Sequence, residues 1–182
     1  MSRVLVGCGA SAALHKGVDL VSKLSQAGHE VRTVLTPRAA ALVSPQLFEA
    51  VSGGPAYVDE FDEERHGAMD HIDLADWAEL FVVAPATADL IARLALGLAG
   101  DLITTVSLAL APDIPRIFSP AMNPRMWAAP AVKRHTRQLF DDGWRLIEPD
   151  KGHMACGDAG TGRFVEPAMI VEAVAQSLEN RS

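Results

Sequence analysis

The sequence predicts an α/β fold: a parallel β-sheet with helices on both faces, three layers in all. Two observations carry this. Strand-length apolar runs alternate with stretches of helical period, in the order Val4 to Val6, Ala12 to Gln26, Val31 to Thr36 and Arg38 to Val51. Further on, Leu80-Phe81-Val82-Val83-Ala84 is apolar without alternation, as a strand covered on both faces must be. Successive β-α units with right-handed crossovers bring the carboxyl ends of the strands to one edge, where open sheets bind ligands.

The elements follow in order. Val4-Leu5-Val6 ends in the turn Gly7-Cys8-Gly9-Ala10-Ser11. Leu14, Val18, Val21 and Leu24 then recur at helical spacing, and Gly28 ends that helix. Val31 to Thr36 is rich in β-branched residues and reads as the second strand. The first turn carries Gly7 and Gly9 but has Ala12 where G-x-G-x-x-G requires glycine. No ribose-binding acid accompanies Thr36-Pro37-Arg38, so a standard nicotinamide site is not expected. Ser11 and Thr36 beside a helix start suit a single phosphate. Plain capping by Ser11 explains the same residue equally simply.

Ser52 to Gly67 is polar and acidic and reads as a long surface loop. His71 follows, in Asp70-His71-Ile72-Asp73-Leu74. Its residue type suits a general base near neutral pH, and a structural histidine is the plainer alternative. His66, His135 and His153 are weaker candidates, and no pair has metal-site spacing. Strand Leu80 to Ala84 runs into Pro85-Ala86-Thr87-Ala88-Asp89-Leu90, where Thr87 or Asp89 can cap a helix that Gly97 and Gly100 close. Asp101 starts another helix, with Thr104, Thr105 and Ser107 free to face a ligand or solvent.

Ile114 to Phe118 reads as a buried strand. The stretch Ser119-Pro120-Ala121-Met122-Asn123-Pro124-Arg125-Met126-Trp127 cannot simply continue it, because of its prolines. It holds the amide Asn123 at the carboxyl end of a strand; an ordinary strand-to-helix loop is the other reading. A helix starts near Pro130 and runs over Ala131 to Phe140, and a last strand covers Trp144 to Ile147. Lys151 to Arg163 contains four glycines without periodicity, which predicts a flexible flap around Cys156. Glu166-Pro167 starts the final helix, Ala168 to Leu178.

Composition bounds the function. The 182 residues are 49% apolar and 21% charged, a globular profile expected to form one domain over 1–182 with a flap at about 151–165. The net charge of −7 and 5% aromatic content argue against a nucleic-acid partner and against a polybasic membrane surface. The two cysteines are far apart and form no metal motif, so a reduced, cytoplasmic protein with no metal is expected. No run is long enough for a signal peptide or a membrane span.

Three separated motifs resemble one family. Pro120-Ala121-Met122-Asn123-Pro124-Arg125-Met126-Trp127 is similar to the P-x-M-N-x-x-M-W signature of the homo-oligomeric flavin-containing cysteine decarboxylases. Pro85-Ala86-Thr87-Ala88-Asp89-Leu90 resembles their P-A-S-A-N-T element, and Ala155-Cys156-Gly157-Asp158 with Gly160, Gly162 and Arg163 resembles their flap. The likeness covers essentially the whole chain. It implies a flavodoxin-like subunit that binds FMN, or FAD in a few members, and assembles as a homotrimer or homododecamer with active sites between subunits. The phosphate would lie on Gly9, Ala10 and Ser11, with Thr36 and Arg38 nearby. The ring would lie along Thr87, Ala88, Asp89 and Leu90 and touch Ala121. His71 corresponds to the catalytic histidine, Asn123 to the amide that holds the substrate carboxylate, and Cys156 to the catalytic cysteine of the flap. Met126, His153, Met154 and Ala155 are further substrate contacts that the resemblance implies.

The implied chemistry is oxidative decarboxylation of a free cysteine carboxylate. Such a carboxylate lacks an electron sink, and oxidising the thiol-bearing carbon to a thioaldehyde creates one, with flavin as the hydride acceptor. Loss of CO2 leaves an enethiol, which re-reduction would convert to a saturated thiol with Cys156 donating the proton. Two substrates stay open. The complete cysteine flap favours 4'-phosphopantothenoylcysteine, on the route to coenzyme A. The turn Gly9-Ala10-Ser11, where Ser-Gly-Gly is usual, and the absence of a fused ligase domain favour the C-terminal cysteine of a precursor peptide, on the route to aminovinyl-cysteine antibiotics. A non-catalytic flavin-binding regulatory subunit is the reading of a different class.

Overall fold

The computed structural model describes residues 1–61, 69–153 and 159–181, and of His153 the backbone alone. Six parallel strands form the sheet, in the order β3-β2-β1-β4-β5-β6. They are β1 (Arg3–Cys8), β2 (Glu30–Leu35), β3 (Ala56–Tyr57), β4 (Leu80–Ala86), β5 (Arg116–Pro120) and β6 (Arg145–Leu146). Without the two-residue edge strand β3 the order is that of flavodoxin; with it, the order is that of a doubly wound dinucleotide fold. In both, the strand order reverses between β1 and β4, and folds of this kind bind ligands at the carboxyl edge of that point.

Helices α1 (Leu14–Gln26), α3 (Pro45–Ser52) and α9 (Pro167–Glu179) cover one face. They pack Leu20, Val21, Leu24, Phe48, Ile170 and Val174 against Val4, Val6, Val31 and Val82. Helices α4 (Asp70–Trp77), α5 (Ala88–Leu96), α6 (Leu102–Ala109) and α8 (Pro130–Asp141) cover the other. There Leu74, Ile91, Ile103, Val106 and Leu139 meet Leu5, Val34, Phe81, Val83 and Phe118. Alternate residues of each central strand thus serve opposite cores, which is why the strands read as continuous apolar runs. Each large side chain so buried is worth about 1.5–3 kcal/mol relative to exposure.

Several expectations change. The helix expected over Arg38 to Val51 is two, α2 (Pro37–Ala40) and α3. Pro45 begins the second, because proline disfavours helical backbone at Ser44 yet suits a first helical position. The acidic stretch expected to be only a loop contributes β3, which pairs with Thr33 and Val34 of β2. The hydroxyl of Thr104 is buried in the α6 cap: it accepts from the Asp101 amide at 3.2 Å, and the Asp101 carboxylate accepts from the Thr104 amide at 2.9 Å. Thr105 Oγ1 donates to the Asp101 carbonyl. Neither hydroxyl is free for a ligand.

The strand expected over Ile114 to Phe118 runs instead to Pro120, and a helix not foreseen, α7 (Pro124–Ala128), follows at once. The stretch expected to be an irregular flap is, in its described part, an antiparallel pair of β7 (Asp150–His153) and β8 (Ala159–Arg163). Its glycines made it look irregular, but Gly152 and Gly160 pair directly across the two strands. Met154, Ala155 and Cys156 lie outside the described residues.

Candidate functional site

The site is built from loops at the carboxyl edge, tied together by backbone hydrogen bonds. The Thr36 amide donates to the Cys8 carbonyl at 3.1 Å, joining the ends of β2 and β1. The Gly9 amide donates to the Pro85 carbonyl at 2.9 Å, bridging the point where strand order reverses. The Ala121 amide donates to the Ala86 carbonyl at 3.0 Å, and the Met122 amide to the Gly162 carbonyl at 3.0 Å. One continuous seam therefore runs from the β1 turn through the β4 and β5 loops to the hairpin.

Gly9 shows how closely the loops approach. A Cβ there would lie 3.0 Å from the Pro85 oxygen and 3.1 Å from Thr87 Cγ2. Helix α1 also presses on this corner, since a Cβ at the buried Gly17 would lie 3.2 Å from Pro85 Cδ. Three hydroxyls line the loops. Ser11 Oγ accepts from the Ala13 amide at 3.2 Å, Thr36 Oγ1 from the Ala39 amide at 3.1 Å and Thr87 Oγ1 from the Leu90 amide at 3.2 Å. Ser11 thus supports the turn ahead of α1, whose N-cap is Ala13, while Thr36 and Thr87 cap α2 and α5. A hydroxyl used only as an acceptor keeps its own proton to donate.

The amides of Ala10, Ser11 and Ala12 donate to no protein acceptor among the described residues. Unspent amides and hydroxyls that keep a proton are the donor types that an anion needs, and a protein of net charge −7 would have to supply them locally. The exposed Arg38 stands two residues beyond Thr36. Leu90 is buried, Thr87 and Ala88 are half-exposed, and Ala121 is buried. Asp89 is exposed and its carboxylate pairs along α5 with Arg93 Nε at 3.0 Å.

Asn123 is the N-cap of α7, its side-chain oxygen accepting from the Arg125 amide at 2.8 Å. Trp127 is buried beneath the same turn, and Lys133 Nζ lies 3.8 Å from its ring centre. The sequence pattern Asn-Pro-x-x-Trp is therefore a cap, a helix start and an anchor. Met126, one residue before Trp127, is exposed.

His71 lies in the first turn of α4, at the same edge of the sheet. Among the described residues it makes no hydrogen bond to the seam; its Nδ1 pairs with Glu60 Oε2 at 2.5 Å. Glu60 was not singled out in the sequence, where it is one acid among several and no spacing marks it. Cys8, the other cysteine, is fully buried, its Sγ–H donating to the Ala84 carbonyl at 3.2 Å. Burial pushes its thiol well above the ordinary range. No cluster of metal-ligating groups and no helix long and apolar enough to cross a membrane occurs among the described residues.

The profile of the Flavoprotein family matches residues 1–179. The chain belongs to the Flavoprotein family. It is 45% identical over 169 residues to the coenzyme A biosynthesis bifunctional protein CoaBC of Bacillus subtilis (strain 168), covering 93% of this chain and 41% of that protein. The chain spans about two fifths of the length of the curated relatives it matches. Among solved structures, a PPC decarboxylase mutant complexed with pantothenoylaminoethenethiol superposes with a TM-score of 0.88 at 31% identity, covering 98% of each chain. The FMN-dependent cysteine decarboxylase SpaF superposes with a TM-score of 0.80 at 34% identity, covering 97% of each. The family resemblance and the α/β fold expected from the sequence both hold.

Proposed function

We propose that this chain is an FMN-dependent cysteine decarboxylase whose substrate is 4'-phosphopantothenoylcysteine. The observation that carries the substrate is the match, over 93% of the chain, to a bifunctional protein named for coenzyme A biosynthesis. The cysteine flap motif supports it. The donor types support the cofactor: the Ala10, Ser11 and Ala12 amides with the Ser11 and Thr36 hydroxyls suit the FMN phosphate, and Arg38 adds a charge. Thr87, Ala88, Asp89, Leu90 and Ala121 would hold the ring. Bound flavin supplies a two-electron acceptor, which oxidation at the thiol-bearing carbon needs.

The chain's own residues do the rest. His71 takes the thiol proton as general base. Asn123, whose side-chain oxygen accepts from the Arg125 amide, would hold the substrate carboxylate through its NH2 group, the only donor on that side chain. Met126, His153, Met154 and Ala155 complete the substrate contacts, and the hairpin closes over them to exclude water. Cys156 returns a proton to the product. Residues 1–182 work as one flavoprotein unit with its flap at about 151–165, in a homotrimer or homododecamer, in the reducing cytoplasm.

A C-terminal peptide cysteine is the second reading, favoured by the turn Gly9-Ala10-Ser11. Mass spectrometry after offering both substrates decides between them. Loss of CO2 alone from the small substrate supports the first reading; loss of CO2 and two hydrogens from the peptide supports the second. A colourless protein that takes up no FMN on titration removes both.

A further inference from the structure

We infer that Glu60 is the positioning residue for His71, holding the imidazole in the tautomer that a general base requires. This rests on the reading of His71 as the base. Three observations support it. The Glu60 carboxylate meets His71 Nδ1 at 2.5 Å, and only 25% of the His71 side chain and 19% of the Glu60 side chain are exposed, so this is no solvated surface pair. The two residues come from different elements that are each held in place. Glu60 follows β3, which is pinned to β2, and a turn in which Asp59 Oδ1 accepts from the Phe61 amide at 3.0 Å presents it. His71 is carried by the first turn of α4, which Leu74 and Ala75 anchor in the core.

The neighbouring acids do not replace Glu60. Asp70 is buried, and Asp73 is exposed on α4; neither bonds to the ring.

The chemistry follows from the type of acceptor. An ionised carboxylate only accepts, so the proton of the neutral ring must sit on Nδ1. That leaves the lone pair on Nε2. When Nε2 takes the substrate's thiol proton, the S–H bond breaks, an N–H bond forms and the thiolate keeps the electron pair. The resulting imidazolium lies against a negative partner, which favours the transfer.

The test uses the flavin-loaded full chain labelled with 15N-histidine, comparing wild type with Glu60→Gln and Glu60→Ala. Correlation of ring protons with ring nitrogens reports which nitrogen of His71 is protonated, independently of turnover. We expect the Nδ1–H form in the wild type and redistribution towards Nε2–H in Glu60→Ala. We also expect kcat to fall about 10- to 100-fold in both variants, part of the ~10²–10⁴ that a positioned base contributes, with KM within about twofold. Glu60→Gln preserves the shape of the side chain, so a shared loss in both variants is not a folding effect; flavin content and melting temperature check this. An unchanged tautomer in Glu60→Ala overturns the inference. A changed tautomer with unchanged kcat overturns the base reading of His71 instead, and the role of Glu60 in turnover falls with it.

Discussion

The amide of Met122 donates to the carbonyl of Gly162 across 3.0 Å, and this bond ties the Asn123 turn to the glycine-rich hairpin. The base of the hairpin is therefore part of the site. Beside it, a Cβ on Gly160 would lie 2.9 Å from Pro124 Cβ. Gly160→Val should push the hairpin off α7. Overpacking of this kind costs about 1–3 kcal/mol, so melting should shift by a few degrees while turnover drops by roughly tenfold or more. Full turnover with an intact fold would remove the hairpin from the mechanism.

Asn123 has two separable duties. As a helix cap it can be replaced by Asp, which caps equally well, whereas Ala forfeits about 1 kcal/mol. As a carboxylate donor it cannot, because Asp adds a negative charge where the substrate has one. Asn123→Asp should keep its melting temperature and its flavin but lose substrate affinity by more than about tenfold, one factor of ten being ~1.4 kcal/mol. Isothermal titration with substrate measures this; unchanged affinity contradicts the role.

His71→Asn should retain the yellow colour and lose CO2 release by about 10²- to 10⁴-fold. Trapping of released 14CO2 from carboxyl-labelled substrate measures it. Surviving release would show that another group takes the proton.

Gly9 meets the β4 loop so closely that Gly9→Ala must displace Pro85 or Thr87. The displacement reaches the loops assigned to the ring. FMN affinity should weaken by roughly tenfold, equivalent to ~1.4 kcal/mol, as read by fluorescence quenching on titration of the apoprotein. Unaltered affinity would detach the cofactor from this corner.

Cys8 should be inert. It is fully buried and hydrogen-bonded, so in the native protein iodoacetamide should leave it unlabelled until the chain unfolds; mass mapping shows which thiol reacts. The same burial has a pH consequence. Its thiol is raised in the fold, so the native state keeps a proton that the unfolded chain releases above about pH 8.5. Stability from this group is whole below that pH and is lost as pH rises, by at most ~1.4 kcal/mol per unit. Cys8→Ala should flatten the alkaline limb of a denaturation series; an equal slope would show that other groups set it.

The alternation of apolar runs and helical periods, the helix starts at Asp101, Pro130 and Pro167 and the three motifs were all legible in the residues. They depend on neighbours only a few positions apart, which period and capping chemistry specify locally. The joint in the helix at Pro45 was equally local and could have been read from that proline. Tertiary structure alone decided that Gly9 bonds to Pro85, that Met122 bonds to Gly162 and that Glu60 reaches His71. It also turned a glycine-rich stretch into a paired hairpin. The physical reason is range: strand order and crossovers choose the partners of residues far apart in the chain, and no spacing in the sequence encodes which acid, among many, will face His71.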